Sequence, residues 1–139
     1  MTLDLQGHTL NSLWMDNFPY GSFTLKNGTL DQCVYSNAEG KLILDGVTFG
    51  DACWEAANNP YLEITVKGNT VFQKAVSFNY DYKPVHLRGG TFENGIDLRA
   101  DQEALALLDD NFAYQNSDGD IVDASNPENL KDKIQVVAH

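Results

Sequence analysis

The chain has 139 residues, enough for one domain around a single core. Hydrophobic residues make up 42% and charged residues 21%, a balance that supports a buried core and excludes a disordered tail. Against 20 Asp and Glu stand 9 Lys and Arg, a formal charge of -11. A phosphate backbone or an anionic lipid surface would be repelled by that field, so nucleic-acid binding is excluded. No apolar run approaches the roughly 18 residues needed to span a bilayer. The start, Met1-Thr2-Leu3-Asp4-Leu5, has neither a basic flank nor a continuous apolar stretch, so it reads as strand and not as a signal peptide. The expectation is a cytosolic protein or a domain cut from a longer exported chain.

A repeat then organises the chain. Thr9, Thr29, Thr48, Thr70 and Thr91 stand 20, 19, 22 and 21 residues apart, each inside a similar phrase: LDLQGHTL, FTLKNGTL, LILDGVTF, ITVKGNTV and VHLRGGTF. Leu3, Phe23, Leu42, Ile64 and Val85 lie six residues before the Thr; Leu5, Leu25, Leu44, Val66 and Leu87 lie four before it. Leu10, Leu30, Phe49, Val71 and Phe92 follow it. Alternation of apolar and outward residues is strand periodicity. Two outward columns are read as Asp4, Thr24, Ile43, Thr65, His86 and as Gln6, Lys26, Asp45, Lys67, Arg88. A Gly one or two places before each Thr turns the chain, because Gly tolerates positive φ. A period near 20 is too short for a helix pair, and the leucine-rich signature is missing. The solution left is a parallel β-helix with successive coils about 4.8 Å apart. Five full rungs run from Leu3 to Phe92, with a partial sixth at Gly95-Ile96-Asp97-Leu98.

Between repeats lie NFPYG, SNAEG, AANNP and NYDYKP, which are turn signals placed on one edge of the solenoid, the edge that often binds. After Ala100 the pattern changes. Asp101 to Leu108 predicts a short helix with Asp101 as N-cap. Phe112 to Val122 predicts a hairpin with an Asp-Gly turn, Asp123 to Asp132 a loop, and Lys133 to Ala138 a last strand. Residues 100–139 are therefore expected to cap the C-terminal end of rungs spanning 1–99, since an open end exposes strand edges and apolar core. The first rung has no such cover.

These phrases resemble small β-helix modules of large surface proteins of Gram-positive bacteria. LDLQGHTL is similar to the Leu-Asp-Leu-Asn-Gly-His-Thr phrase that opens such modules. GGTFENGIDL, LLDDNFAYQNSDGDIVDAS and the final IQVVAH resemble their closing segment. The resemblance covers nearly the whole chain; Gln6 replaces the usual Asn, and Asp110-Asn111-Phe112 stands where Gly-Tyr is commoner. It implies export, cell-wall attachment through an anchor outside this sequence, and surface display, with no one activity. Right-handed coiling is expected from it and from the preference of parallel crossovers.

Several side chains are candidates for chemistry. Trp14 lies five residues after its Thr, and Tyr35 and Trp54 six after theirs, so a ligand-binding aromatic column is expected on the third face. Tyr80 and Tyr82 join it from the loops, with Phe18, Tyr20 and Tyr61 nearby and Asp16, Asn37, Glu55, Asn58 and Asn79 as polar neighbours. Flat rings beside carboxylates and amides suit sugars; a stack that merely closes the solenoid is the alternative. Cys33 and Cys53 fall on neighbouring rungs, offset by one residue, and read as two buried structural thiols, with a disulfide as the other outcome. Asn116 to Asp120 resembles a calcium loop, but Ser125 stands where the bidentate Glu belongs, so a hairpin turn is preferred. No metal, cofactor or catalytic residue is expected. The Thr column reads as an internal ladder in preference to an ice-binding array, and His8, His86 and His139 as ordinary surface or turn residues.

The expectation for function is a non-catalytic surface module for display, adhesion, or binding of a carbohydrate or host ligand. Its partners would be that ligand, neighbouring domains, or a second copy at the open first rung. A polysaccharide-degrading lyase or glycosidase of β-helix type is the alternative.

Overall fold

A computed structural model describes residues 1–16, 21–37, 39–50, 53–54, 59–98 and 103–139, with residues 33–35 and 53–54 described by their backbone alone. The chain is mostly β, a parallel solenoid of about four turns. Its strands are β1 (Thr2–Asp4), β2 (Thr9–Met15), β3 (Ser22–Ser36), β4 (Gly40–Phe49), β5 (Cys53–Trp54), β6 (Leu62–Lys67), β7 (Val71–Phe72), β8 (Val85–Leu87), β9 (Thr91–Phe92), β10 (Phe112–Asn116) and β11 (Ile134–Ala138). One ladder stacks β1, β3, β4, β6 and β8 in parallel; a second stacks β2, β3, β4, β7 and β9. No helix among the described residues is long and apolar enough to cross a membrane.

The alternation of the first strand decides its packing. Phe23, Leu42, Ile64 and Val85 are in register, as are Leu25, Leu44, Val66 and Leu87, and all eight are buried. Sequence identifies both columns. The column after the Thr differs at one place: Phe49 pairs with Phe72, not Val71, and Phe72 with Phe92. The three rings stack at 4.8 and 5.2 Å between centroids, interplanar angles 10° and 8°, with Phe78 edge-on to two of them.

That shift has a local cause at Thr70. Val71 takes the place of the Thr, pairing with Thr48 and Thr91, while Thr70 turns fully inward. Its Oγ1 accepts from the N–H of Gly46 (3.0 Å) and of Val47 (3.3 Å) and donates to the carbonyl of Lys67 (2.9 Å). The hydroxyl thus satisfies backbone groups at the corner of the preceding repeat, which would otherwise be buried unpaired. The expected Thr ladder is interrupted in the fourth repeat.

The first repeat also departs from the expected register. Leu3 pairs with Leu25 and Asp4 with Lys26, two places beyond the expected Phe23 and Thr24, while Thr9 still pairs with Thr29. The two extra residues are taken up by a turn at Gln6 (φ 52°) and Gly7 (φ 82°), closed by the His8 N–H on the Leu5 carbonyl. Asp4, Lys26, Asp45 and Lys67 consequently form one outward column of alternating sign. The next corner is Asn27 (φ 59°), not Gly28 as the sequence predicts. Asn is among the few side chains that accept left-handed backbone. Gly28 is required for space instead, since a Cβ there would lie 2.3 Å from the Leu5 Cβ.

Beyond residue 102 the expected helix is, in its described part, a single 3-10 turn, Ala104–Leu107. Glu103 gives it no side-chain cap, and Leu108 is already extended, bridging in parallel to Leu87. Ladder pairing has overridden helical propensity. Tyr114 is buried and its hydroxyl donates to the Ala104 carbonyl at 2.7 Å, while burial pushes its phenol well above the ordinary range. The hairpin turn forms at Asp118-Gly119, but only Ile121 bridges back to Gln115; β10 pairs along its length with β11, antiparallel. β11 in turn runs antiparallel to β9. The segment expected as loop contains a 3-10 turn, Pro127–Leu130, opened by the Asn126 side-chain Oδ1 accepting from the Glu128 N–H.

Candidate functional site

The aromatic column of the third face comes only partly into register. A bulge in β3 between the Leu10 and Ser12 pairings brings Trp14 opposite Tyr35. Trp54 pairs with Val34, one place short of Tyr35. Cys33 and Cys53 are direct partners, so the one-residue offset expected between them is absent from the backbone. Trp14 is 59% exposed, and its indole N–H donates to the Asp16 carboxylate. Phe18, Tyr20, Glu55 and Asn58 lie outside the described residues.

The loop-borne tyrosines separate into two kinds. Tyr80 is half-buried against the core, and its hydroxyl accepts the Glu103 N–H at 3.0 Å, tying the fifth repeat to the C-terminal segment. Tyr82 is 68% exposed and stacks on Tyr61, itself 49% exposed, at 5.2 Å between centroids and 14° between planes. Asx turns fix both loops: the Asn59 carbonyl accepts the Tyr61 N–H at 3.1 Å, and that of Asn79 accepts the Asp81 N–H at 3.1 Å. The Asn59 amide also donates to the Ser36 carbonyl of the preceding repeat, at 3.2 Å.

Beside the pair runs a groove of about 400 Å³ lined by Gly21, Glu39, Gly40, Lys41, Tyr61, Glu63 and Lys83. These residues come from successive repeats because each loop delivers its chain to the same edge of the first sheet. Glu63 is held from two sides, by Lys41 Nζ at 3.6 Å and by His86 Nε2 at 3.7 Å. His86 Nδ1 meets Asp109 Oδ1 at 2.6 Å, and Asp109 Oδ2 lies 3.5 Å from Arg88 Nε. A chain of polar contacts therefore runs from the groove to a second recess of about 460 Å³ around His86, Arg88, Leu108, Asp109 and Asp110. His86, read from sequence as an ordinary surface residue, is the middle of that chain.

Chemically, the groove offers the Tyr61 ring, on which Tyr82 stacks from outside it, with carboxylates and ammonium groups beside it. A pyranose can set its apolar face on such a ring while its hydroxyls meet the charged groups. At the Asp-Gly turn the Asn116 side-chain Oδ1 accepts from the N–H of Asp118 and of Asp120, both at 3.0 Å, which is turn geometry. Among the described residues no group of three or more His, Cys, Asp or Glu is placed to hold a metal ion.

The Tyr61–Tyr82 pairing and its four charged neighbours are not evident when repeats are aligned on Thr. They emerge when repeats are aligned on the first inward residue. Ile64 pairs with Val85, and Tyr61 and Tyr82 each stand three residues before them; Glu39 stands three before Leu42, which pairs with Ile64. No family model matches the chain, and neither the curated proteins nor the solved structures give a match.

Proposed function

We propose that the chain is a non-catalytic extracellular surface module that binds carbohydrate along its loop edge. The observation that carries this reading is the exposed Tyr61–Tyr82 stack, whose Tyr61 lines the groove with Glu39, Lys41, Glu63 and Lys83. Exposed aromatic surface is costly to leave in water unless a partner covers it, and stacked rings beside paired charges suit a sugar better than a lipid. Trp14, with Tyr35 and Trp54 near it in the ladder, is a second aromatic surface for the same ligand class. Tyr80 supports the Tyr82 loop. The resemblance to Gram-positive surface modules supports export and display. In this reading the coil is right-handed, comprises five to six rungs, and is closed at one end by residues 100–139. The edge of the first rung is left for a neighbouring domain or a second copy.

A polysaccharide-degrading enzyme is the second reading, favoured by one observation: Glu39 and Glu63 line the same groove. Glycosidases act through such carboxylate pairs.

Calorimetric titration with cellohexaose, chitohexaose, xylohexaose, hexagalacturonate, a hyaluronan hexasaccharide and sialyllactose tests both. Saturable binding to at least one, lost in Tyr61→Ala/Tyr82→Ala with no release of reducing ends or unsaturated product, is expected. Product release abolished by Glu63→Gln would replace the binding module with the enzyme. No binding to any of these, nor to an oligosaccharide bearing free amines, would overturn the carbohydrate reading.

A further inference from the structure

The groove has a polarity along the solenoid axis. Glu39, Tyr61 and Tyr82 occupy the same position in three consecutive repeats, three residues before Leu42, Ile64 and Val85. Lys83 follows Tyr82 and lines the same groove. Along the axis the groove therefore carries the Glu39 carboxylate, the Tyr61 ring and the Lys83 ammonium group, with Tyr82 stacked on Tyr61. The intervening pair, Lys41 with Glu63, neutralises itself at 3.6 Å. Glu39 and Lys83 enter no ion pair among the described residues, so these two charges are available to a ligand.

Resting on the carbohydrate reading, we infer that the ligand is a zwitterionic oligosaccharide, with an amino sugar at Glu39 and a carboxylate-bearing sugar at Lys83. Two arguments choose this class. The two unmatched charges have opposite signs and stand two repeats apart, about 10 Å at a coil spacing of roughly 4.8 Å. That is the span of a short oligosaccharide lying past Tyr61. The formal charge of -11 repels a polyanion at long range, whereas a saccharide with balanced charges approaches without that penalty. Tyr61 contributes ring surface to the groove between the two charges, and those charges fix the ligand's direction.

The test uses the full chain and a tetrasaccharide of alternating glucuronic acid and glucosamine with free amines. Its N-acetylated, carboxyl-reduced and doubly neutral forms are titrated in parallel. Exposed ion pairs contribute about threefold to fivefold in affinity each. The zwitterion is expected to bind about tenfold more tightly than the doubly neutral form. Lys83→Gln should erase the gain from the carboxylate and leave that from the amine; Glu39→Gln should do the reverse. Four forms bound equally, or variants that weaken all four alike, would overturn the inference and leave the carbohydrate reading standing. Failure of every form here, together with failure of the neutral and acidic sugars above, would overturn both.

Discussion

Two aromatic ladders run through this molecule with nearly the same spacing and opposite surroundings. Phe49, Phe72 and Phe92 stack at 4.8 and 5.2 Å and are at most 2% exposed. Tyr61 and Tyr82 stack at 5.2 Å while 49% and 68% exposed. Both arise because a solenoid sets equivalent residues of successive repeats one coil apart. Ring stacking is thus a product of the architecture and says nothing about function by itself. Exposure distinguishes the two: the buried ladder stabilises the fold, while the exposed one leaves apolar surface for something else to cover.

The largest difference should appear on truncation. Phe72→Ala removes the central ring of the buried ladder and should cost about 3–5 kcal/mol in urea unfolding. Thr70→Val should follow at about 1–3 kcal/mol, because the N–H groups of Gly46 and Val47 lose their acceptor. The same substitution at Thr48, on the regular column, should stay within about 0.5 kcal/mol.

Tyr114 sharpens the comparison through pH. Burial raises its phenol above the ordinary value of 10.0, so it stays neutral in the folded chain while the unfolded chain ionises. Its contribution is fully present below pH 10.0 and is lost as pH rises beyond that value. Stability measured by denaturant titration should fall from about pH 10 upward, and Tyr114→Phe should flatten that fall at a cost of about 1 kcal/mol for the bond to Ala104. The smallest effect belongs to Tyr82→Ala: under about 1 kcal/mol of stability, with glycan binding lost.

Much of this architecture is legible in the sequence, because alternating apolar residues at a fixed period can pack in few ways. Leu25, Leu44, Val66 and Leu87 were placed correctly by counting alone. The fourth-repeat departure comes from anchoring on Thr, whereas burial of the larger apolar side chain sets the register. Phe72 therefore displaced Val71, and Thr70 turned inward to serve the Gly46 corner. In the first repeat the Gln6-Gly7 turn absorbed two residues without disturbing Thr9, which no column count reveals. At the site, the turn residues place the loops on one edge, and the sequence names Tyr82 as a candidate there. Its partner Tyr61 was only a neighbour, because loops of unequal length hide their common distance from Ile64 and Val85. The charged residues Glu39, Lys41, Glu63 and Lys83 carry no motif and become a set only when the coil brings them to one edge.

Backbone-amide NMR of the labelled chain during titration with each oligosaccharide of the panel tests the central claim most directly. The account predicts saturable shifts concentrated at Glu39 to Lys41, Tyr61 to Glu63 and Tyr82 to Lys83, with the Phe49–Phe72–Phe92 ladder unmoved. Shifts confined to Trp14 and its neighbours, or none with any sugar, would contradict it.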